Sequence, residues 1–450
     1  MKLRKHQNLA GGNYMKFKIM SREKNSKRDL LRLITFLLLV FVCVGGTIKD
    51  VCAQASPESG AKAGREMLPV NNTDNFTPVV ARVLGPPTLP VRGTDRKYHV
   101  AYDVEFQNTR LAPATLLKVD VVDAANPSKV LVSISGNELT SRLRTLAAKT
   151  VSDTNIEPNG GRVLFVELAF DLSDQIPKTV SHHVSLFASA NPVATDPSLL
   201  DYTILPFDMA EDAPFVIGAP LSGKGWVAVN GCCAPGFPHR SSFLPVNGIL
   251  TNGQRFAIDW MRLSEDGFLV RGNPSRNENW VNYGADVLAV ADGTIVDTLD
   301  ELEDNTPGSL PDPRTITLKT VDGNHIVIDF GNGLYGFYGH LKKGSVRVQI
   351  GDKVRKGDHL ALLGNTGNSS APHLHFHISD APSVLGSSGV PYHFEKFDYA
   401  GQIPLDLFEK SADLTENFGG GRLAVPRRRK FEYPLAWDVI NFPQSHSKRR

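Results

Sequence analysis

The sequence predicts an all-β protein, with an immunoglobulin-like β-sandwich ahead of a second antiparallel β domain. Three observations predict it. A chain of 450 residues has room for two or three domains rather than one core. From about Thr77 to Phe215, short alternating apolar runs are parted by turns. After Pro220 glycines become frequent, and short strands alternate with tight-turn signals.

The first domain is read over residues 71–215. "YHVAYDVEFQN" places Val100, Tyr102, Val104 and Phe106 on one face of a strand. "TLLKVDVVDA", "KVLVSIS", "GRVLFVELAFDL" and "HHVSLFAS" follow at the separations of a sandwich, and "EPNGG" marks a turn. Of the adjacent His182 and His183, one must face the core and the other solvent, so both are read as structural. No cluster of catalytic residue types occurs here, which suits a binding or spacer module.

The second domain is read over 216–400. Its strands come from "ADGTIV", "IDFGNGLYGFYGHL" and "VQIGDKVRKGDHLALLGNTG", with Asp292-Gly293 and Asn332-Gly333 as hairpin dipeptides. The acidic, proline-broken stretch Asp297 to Arg314 reads as a surface insertion. Residues 401–450 read as a tail in which "RRRK" precedes "YPLAWDVINFP", the latter packing back on a domain.

At the other end, Lys24, Lys27, Arg28 and Arg32 precede the apolar run Leu33 to Val44, and "AQA" at Ala53 to Ala55 offers a small-residue cleavage site. Residues 1–55 are therefore read as an export signal and 56–70 as a linker. The protein is expected outside the cytoplasm, with membrane contact only through an uncleaved N-terminal segment. Cys43 and Cys52 would leave with the signal, so the neighbours Cys232 and Cys233 remain, as a vicinal disulfide or as thiols. Neighbouring cysteines staple no fold, and apolar cores must hold the domains. The formal charge of +2 gives no ground for a nucleic-acid partner.

The chemistry centres on "APHLHFHISD", where His373, His375 and His377 alternate. Residues two apart on a strand share a face, roughly 7 Å from each other. One imidazole can then bind a metal while another reaches the reacting water, and His377 can orient a ligand from behind. A catalytic zinc needs about three protein ligands. In "QRFAIDWM", Phe256, Ile258 and Trp260 alternate and leave Asp259 on the other face, where a carboxylate wants a cation; Arg255 is the alternative partner. His239 is the one histidine between His183 and His325, with the thiolates of Cys232 and Cys233 as rivals. His340 ends a strand on the face of Tyr338, putting phenol and imidazole side by side.

Together these stretches, from about Ser222 to Asp380, resemble the M23 family of zinc metallopeptidases, the lysostaphin- and LytM-like cell-wall endopeptidases. The resemblance is carried by "HRSSFLPVNGILTNGQRFAIDW", "YGADVLAVADGTIV", "GNHIVIDFGNGLYGFYGHL" and "VQIGDKVRKGDHLALLGNTGNSSAPHLHF". It implies a small antiparallel sheet with the site in a groove between loops, "GNTGNSSAP" forming one wall. It implies one zinc ion on His239, Asp259 and His375, with His340 and His373 catalytic. The activity implied is hydrolysis of peptidoglycan cross-links, with stem peptides or cross-bridges as partners. One feature departs from most members: histidine and aspartate ligands stand four residues apart there, and twenty apart between His239 and Asp259 here. A branch with "QRFAID"-like sequences shares the wider spacing.

Three other readings fit parts of the sequence. Some relatives keep the fold, lose the zinc residues, and bind the wall or activate other hydrolases; here every motif histidine is present. "GDKVRKGDHLALLG" resembles a biotinyl or lipoyl carrier hairpin but lacks a modifiable lysine at its tip. A cupin-type barrel also uses alternating histidines, yet "HISDAPSVLG" supplies no following glutamate.

Overall fold

The computed structural model describes residues 75–444 apart from 194 and 412–413. The signal and linker expectations, with Cys43 and Cys52, lie outside the described residues. Among the latter, no helix is long and apolar enough to cross a membrane.

Two five-stranded antiparallel sheets form the first domain. One runs Val79–Leu84, Tyr98–Asn108, Gly161–Phe170, Leu143–Thr145, with Val91–Arg92 added beside the second strand. The other runs Pro197–Asp208, Thr179–Ser189, Ala114–Asp123, Asn126–Ser135, with Asn155–Ile156 added beside the third. Val100, Tyr102, Val104 and Phe106 pack into one core with Leu116, Val119, Val184 and Leu186 of the opposite sheet, as alternation requires. His182 is buried, with its Nε2 2.8 Å from the Tyr102 hydroxyl, while His183 faces outward beside Thr203.

The rest is built on a ten-stranded sheet. Its order is Lys353–Val354, Gly293–Leu299, Asn324–Gly331, Leu334–Leu341, Leu374–Ser379, Ile258–Arg262, Gly223–Val229, Asp438–Phe442, Phe397–Gln402, Arg422–Arg429. The sheet is larger than the small one expected because the C-terminal segment joins it. Within the expected tail, "YPLAWDVINFP" does pack back: Asp438–Phe442 pairs with both Gly223–Val229 and Phe397–Gln402 inside the sheet, and Arg422–Arg429, not foreseen as a strand, forms its edge. Val439 and Ile440 are apolar and buried on opposite faces, as an interior strand demands.

Sandwich and sheet belong to one compact unit, Thr73–Arg450. Strand Tyr98–Asn108 explains why: its second face is buried too, against the sheet domain. Ala101 joins the sheet domain's core, and the fully buried Asp103 accepts from Arg240 Nη1 at 2.7 Å and from Arg255 Nη2 at 2.9 Å. Arg240 and Arg255 also donate to the carbonyls of Tyr102, Val166 and Leu84. Burial raises the Asp103 pKa, but the two guanidinium groups outweigh it and hold the carboxyl below the usual range. Arg255 is thus engaged with Asp103 and is not the partner of Asp259.

Beside this contact, His99 Nε2 lies 3.1 Å from Asp95 and Nδ1 lies 3.3 Å from Glu167, next to the Cys233 sulfur. Burial pulls the His99 pKa down, but its two carboxylate partners prevail and raise it to about 9.

Two predictions follow from this interface. Replacing Asp103 by Ala leaves two buried guanidinium groups uncompensated; the unfolding free energy is expected to fall by about 3–5 kcal/mol, read from a lowered urea midpoint. His99 binds its proton more tightly folded than unfolded, so its contribution is full below an unfolded pKa of about 6.5 and disappears as pH rises through about 9. Between those limits the melting temperature of wild type should fall more steeply with pH than that of His99→Gln, and equal slopes would refute this.

Candidate metal centre

Three neighbouring strands of the sheet set out the site. In register, Asp259 on Ile258–Arg262 lies opposite His375 on Leu374–Ser379, and His375 lies opposite Gly339 on Leu334–Leu341. Leu374, Phe376 and Ile378 enter the apolar core, so strand alternation throws His373, His375 and His377 to the other side. Ile258 and Trp260 enter the same core and leave Asp259 among those histidines. His239 arrives from outside the sheet, on a single 3-10 turn at Pro238–Ser241.

The donor atoms converge. His375 Nδ1 is 2.9 Å from Asp259 Oδ1, and His239 Nε2 is 3.3 Å from Asp259 Oδ2. One donor atom from each of the three residues lies within 4.8 Å of the other two. Donors bound to a tetrahedral zinc at 2.0–2.2 Å stand roughly 3.3–3.6 Å apart, so two imidazoles and a carboxylate at these separations fit such an ion.

Tautomers are set from behind. His239 Nδ1 donates to the carbonyls of Asn230 and Ala257, each at 3.0 Å, which leaves Nε2 as a lone pair toward the cleft. His340 Nδ1 donates to Thr366 O at 2.7 Å, and His373 Nδ1 donates to Ala371 O at 2.8 Å. Those two rings stand with centroids 4.5 Å apart, and His373 Nε2 is 3.4 Å from Asp259 Oδ1.

His340 reaches this group by a route the sequence reading did not foresee. Regular alternation would put it beside Tyr338, whose ring is buried in the core and whose hydroxyl accepts from Val290 N. Instead His340 has φ +59°, in the left-handed region, and its own N–H donates to Asp322 O at 2.6 Å. The strand twists out of register there, turning the imidazole away from the phenol and toward His373 and His375. The expected pairing of Tyr338 with His340 is therefore wrong, although His340 does join the cluster.

Cys232 and Cys233 are bonded to each other, so neither offers a thiolate to this cluster. Sequence reasoning missed Asn230, whose Nδ2 donates to Asp259 Oδ2 at 2.8 Å; an Asn-Gly pair signals only a turn. It also missed Phe408 and Leu414, from the supposed tail, which line the cavity of about 520 Å³ holding the cluster. Asn368 to Ala371, within "GNTGNSSAP", line another side, as expected. A larger cleft of about 1810 Å³, beside Asp286, Asp352 and Asp358, holds none of these histidines.

Electrostatics separate the rings. Burial, then the adjacent His373 and His375, push His340 well below the usual histidine range, so it is neutral. Burial opposes protonation of His239 and His373 as well, but the Asp259 charge prevails and raises both. Asp259 itself, despite burial, is held well below the carboxylate range by His239 and His373.

Residues 280–385 match Peptidase family M23. This segment is an M23 domain. The match takes in His340, His373 and His375, while His239 and Asp259 lie ahead of it. Among curated proteins, the chain is 43% identical over 56 residues to the peptidoglycan DD-endopeptidase ShyA of Vibrio cholerae, covering 12% of this chain and 13% of that protein. It is 34% identical over 106 residues to the glycyl-glycine endopeptidase ALE-1 of Staphylococcus capitis, covering 23% and 24%. An uncharacterized metalloprotease of Buchnera aphidicola is 28% identical over 153 residues, 32% of this chain and 35% of that one. The match thus spans about a third or less of these relatives' lengths. Of solved structures, the catalytic domain of lysostaphin from Staphylococcus simulans is 21% identical, covering 37% of this chain and 88% of that one with a TM-score of 0.21.

Proposed function

We propose that the protein is an exported zinc-dependent endopeptidase that hydrolyses peptide cross-links of bacterial peptidoglycan. The observation that carries this is the convergence of His239 Nε2, Asp259 and His375 Nδ1 beside two further histidines whose Nε2 atoms are open to the same cleft. The relatives named as peptidoglycan DD-endopeptidase and glycyl-glycine endopeptidase support the substrate class.

In this reading His239, Asp259 and His375 hold the ion. Zinc, when bound, supplies Lewis-acid activation of water and of the scissile carbonyl. His340, neutral because it is buried and locked at Nδ1–H by Thr366 O, takes a proton from the attacking water at Nε2. His373, locked likewise on Ala371 O, holds a proton at Nε2, steadies the developing oxyanion and passes the proton to the leaving amine. Ser369 Oγ lies 3.4 Å from His373 Nδ1 but donates to Asn365 Oδ1 at 2.6 Å, and the scheme uses no covalent nucleophile. Phe408, Leu414, Met261 and Val229 give the cleft an apolar wall that sheds water around the reacting groups.

The test is digestion of purified peptidoglycan, with products identified by mass spectrometry and bound metal measured in parallel. Wild type should carry one zinc and release cleaved cross-links. His375→Ala should lose the zinc and lose more than the roughly 100-fold in rate that removing an outer partner of a ligand costs. Identical products at an identical rate from the variant would refute the assignment.

A further inference from the structure

Of the five histidines gathered at the site, three have a backbone carbonyl that fixes their proton: His239, His340 and His373. His375 has no such carbonyl. Its Nδ1 faces Asp259, and its Nε2 is 2.9 Å from Nδ1 of His377. His377 is fully buried, its ring stacked flat on Phe337 with centroids 4.6 Å apart and planes 5° from parallel. It occupies the third position of the alternating run and touches no part of the open cleft.

Resting on the metal reading above, we propose that His377 is the positioning residue that sets the tautomer of His375. A neutral imidazole carries one N–H. If Nδ1 of His375 is to present a lone pair to an ion, the proton must sit on Nε2, and buried there it needs an acceptor. The atom within reach is His377 Nδ1. His377 must then be protonated at Nε2, so each ring's tautomer dictates the other's. His239, His340 and His373 obtain the same service from the carbonyls of Asn230, Thr366 and Ala371, which side-chain replacement cannot remove. At His375 it is delegated to a side chain, so here the contribution can be measured.

The arrangement has a second mark. His377 Nε2 makes no hydrogen bond to protein, and neither does the buried Oδ2 of Asp322. The Asp322, His375 and His377 donor atoms lie within 4.8 Å of one another. A core histidine kept only for packing would have no need to aim its Nδ1 at a ligand's nitrogen. Replacing the acceptor at 377 by an apolar group strands His375 Nε2–H, or returns the proton to Nδ1, where it competes with the ion.

The test uses the full chain and reads zinc affinity by competition with a chelator. His377→Leu, apolar and of similar bulk, should weaken zinc about 10–100-fold while the metal-free melting temperature stays near that of wild type. His377→Asn, whose Oδ1 falls close to the position of His377 Nδ1, should restore most of the affinity. Equal weakening by both variants, or no weakening by His377→Leu, overturns the proposal. Two zinc ions per wild-type chain, falling to one in His377→Leu, also overturn it, because Nε2 of His375 would then be a ligand rather than a donor. Nitrogen-15 spectra of zinc-loaded wild type need no variant to fold: the expected pattern is His375 metallated at Nδ1 and protonated at Nε2, with His377 protonated at Nε2 alone. His375 metallated at Nε2, or His377 protonated at Nδ1, refutes it. A chain that passes these measurements and leaves peptidoglycan intact refutes the endopeptidase reading alone.

Discussion

The hold of Asp103 on Arg240 and Arg255 is the contact on which the site's architecture depends. All three groups are almost wholly removed from water, where an unpaired charge costs several kcal/mol. Two cations on one anion leave excess charge, spread over three backbone carbonyls and partly answered by the nearby Glu167. Such a cluster tolerates little displacement, because each guanidinium must keep several acceptors at once. Arg240 follows His239 directly, and Arg255 stands four residues before Asp259. Two donors of the candidate metal centre are therefore seated by a carboxylate that belongs to the sandwich.

What the sequence made legible is what strand periodicity encodes. Leu374, Phe376 and Ile378 had to enter a core, so His373 and His375 had to share the other face; Phe256, Ile258 and Trp260 set Asp259 apart by the same rule. The second domain's hairpins were equally readable from their turn dipeptides. His340 shows where the rule stops: a non-glycine residue at φ +59° breaks alternation, and no local pattern announces it. The place of the C-terminal strands in the sheet was missed because pairing across the sheet is a long-range fact. Asp438–Phe442 lies beside Gly223–Val229, more than two hundred residues earlier in the chain. Asp103 was missed for a related reason, since in its own strand it looks like an ordinary outward-facing polar residue of an alternating run.

The wide spacing between His239 and Asp259 then has a physical explanation. The residues between them are no idle loop. They form the hairpin Leu244–Val246 with Ile249–Thr251, bury Phe243 against Phe165 of the sandwich, and carry Arg240, Asn252 and Arg255 to Asp103. Arg240 also lies over the Phe165 ring, 5.0 Å from its centroid. Where histidine and aspartate stand four residues apart, one short segment can set both. Here the histidine comes on a separate turn, and something must hold that turn if its imidazole is to stay within reach of Asp259 and His375. The sandwich supplies the hold. The segment between His239 and Asp259 is thus tied to the sandwich through Arg240, Asn252 and Arg255, so the sandwich bears on where both donors sit.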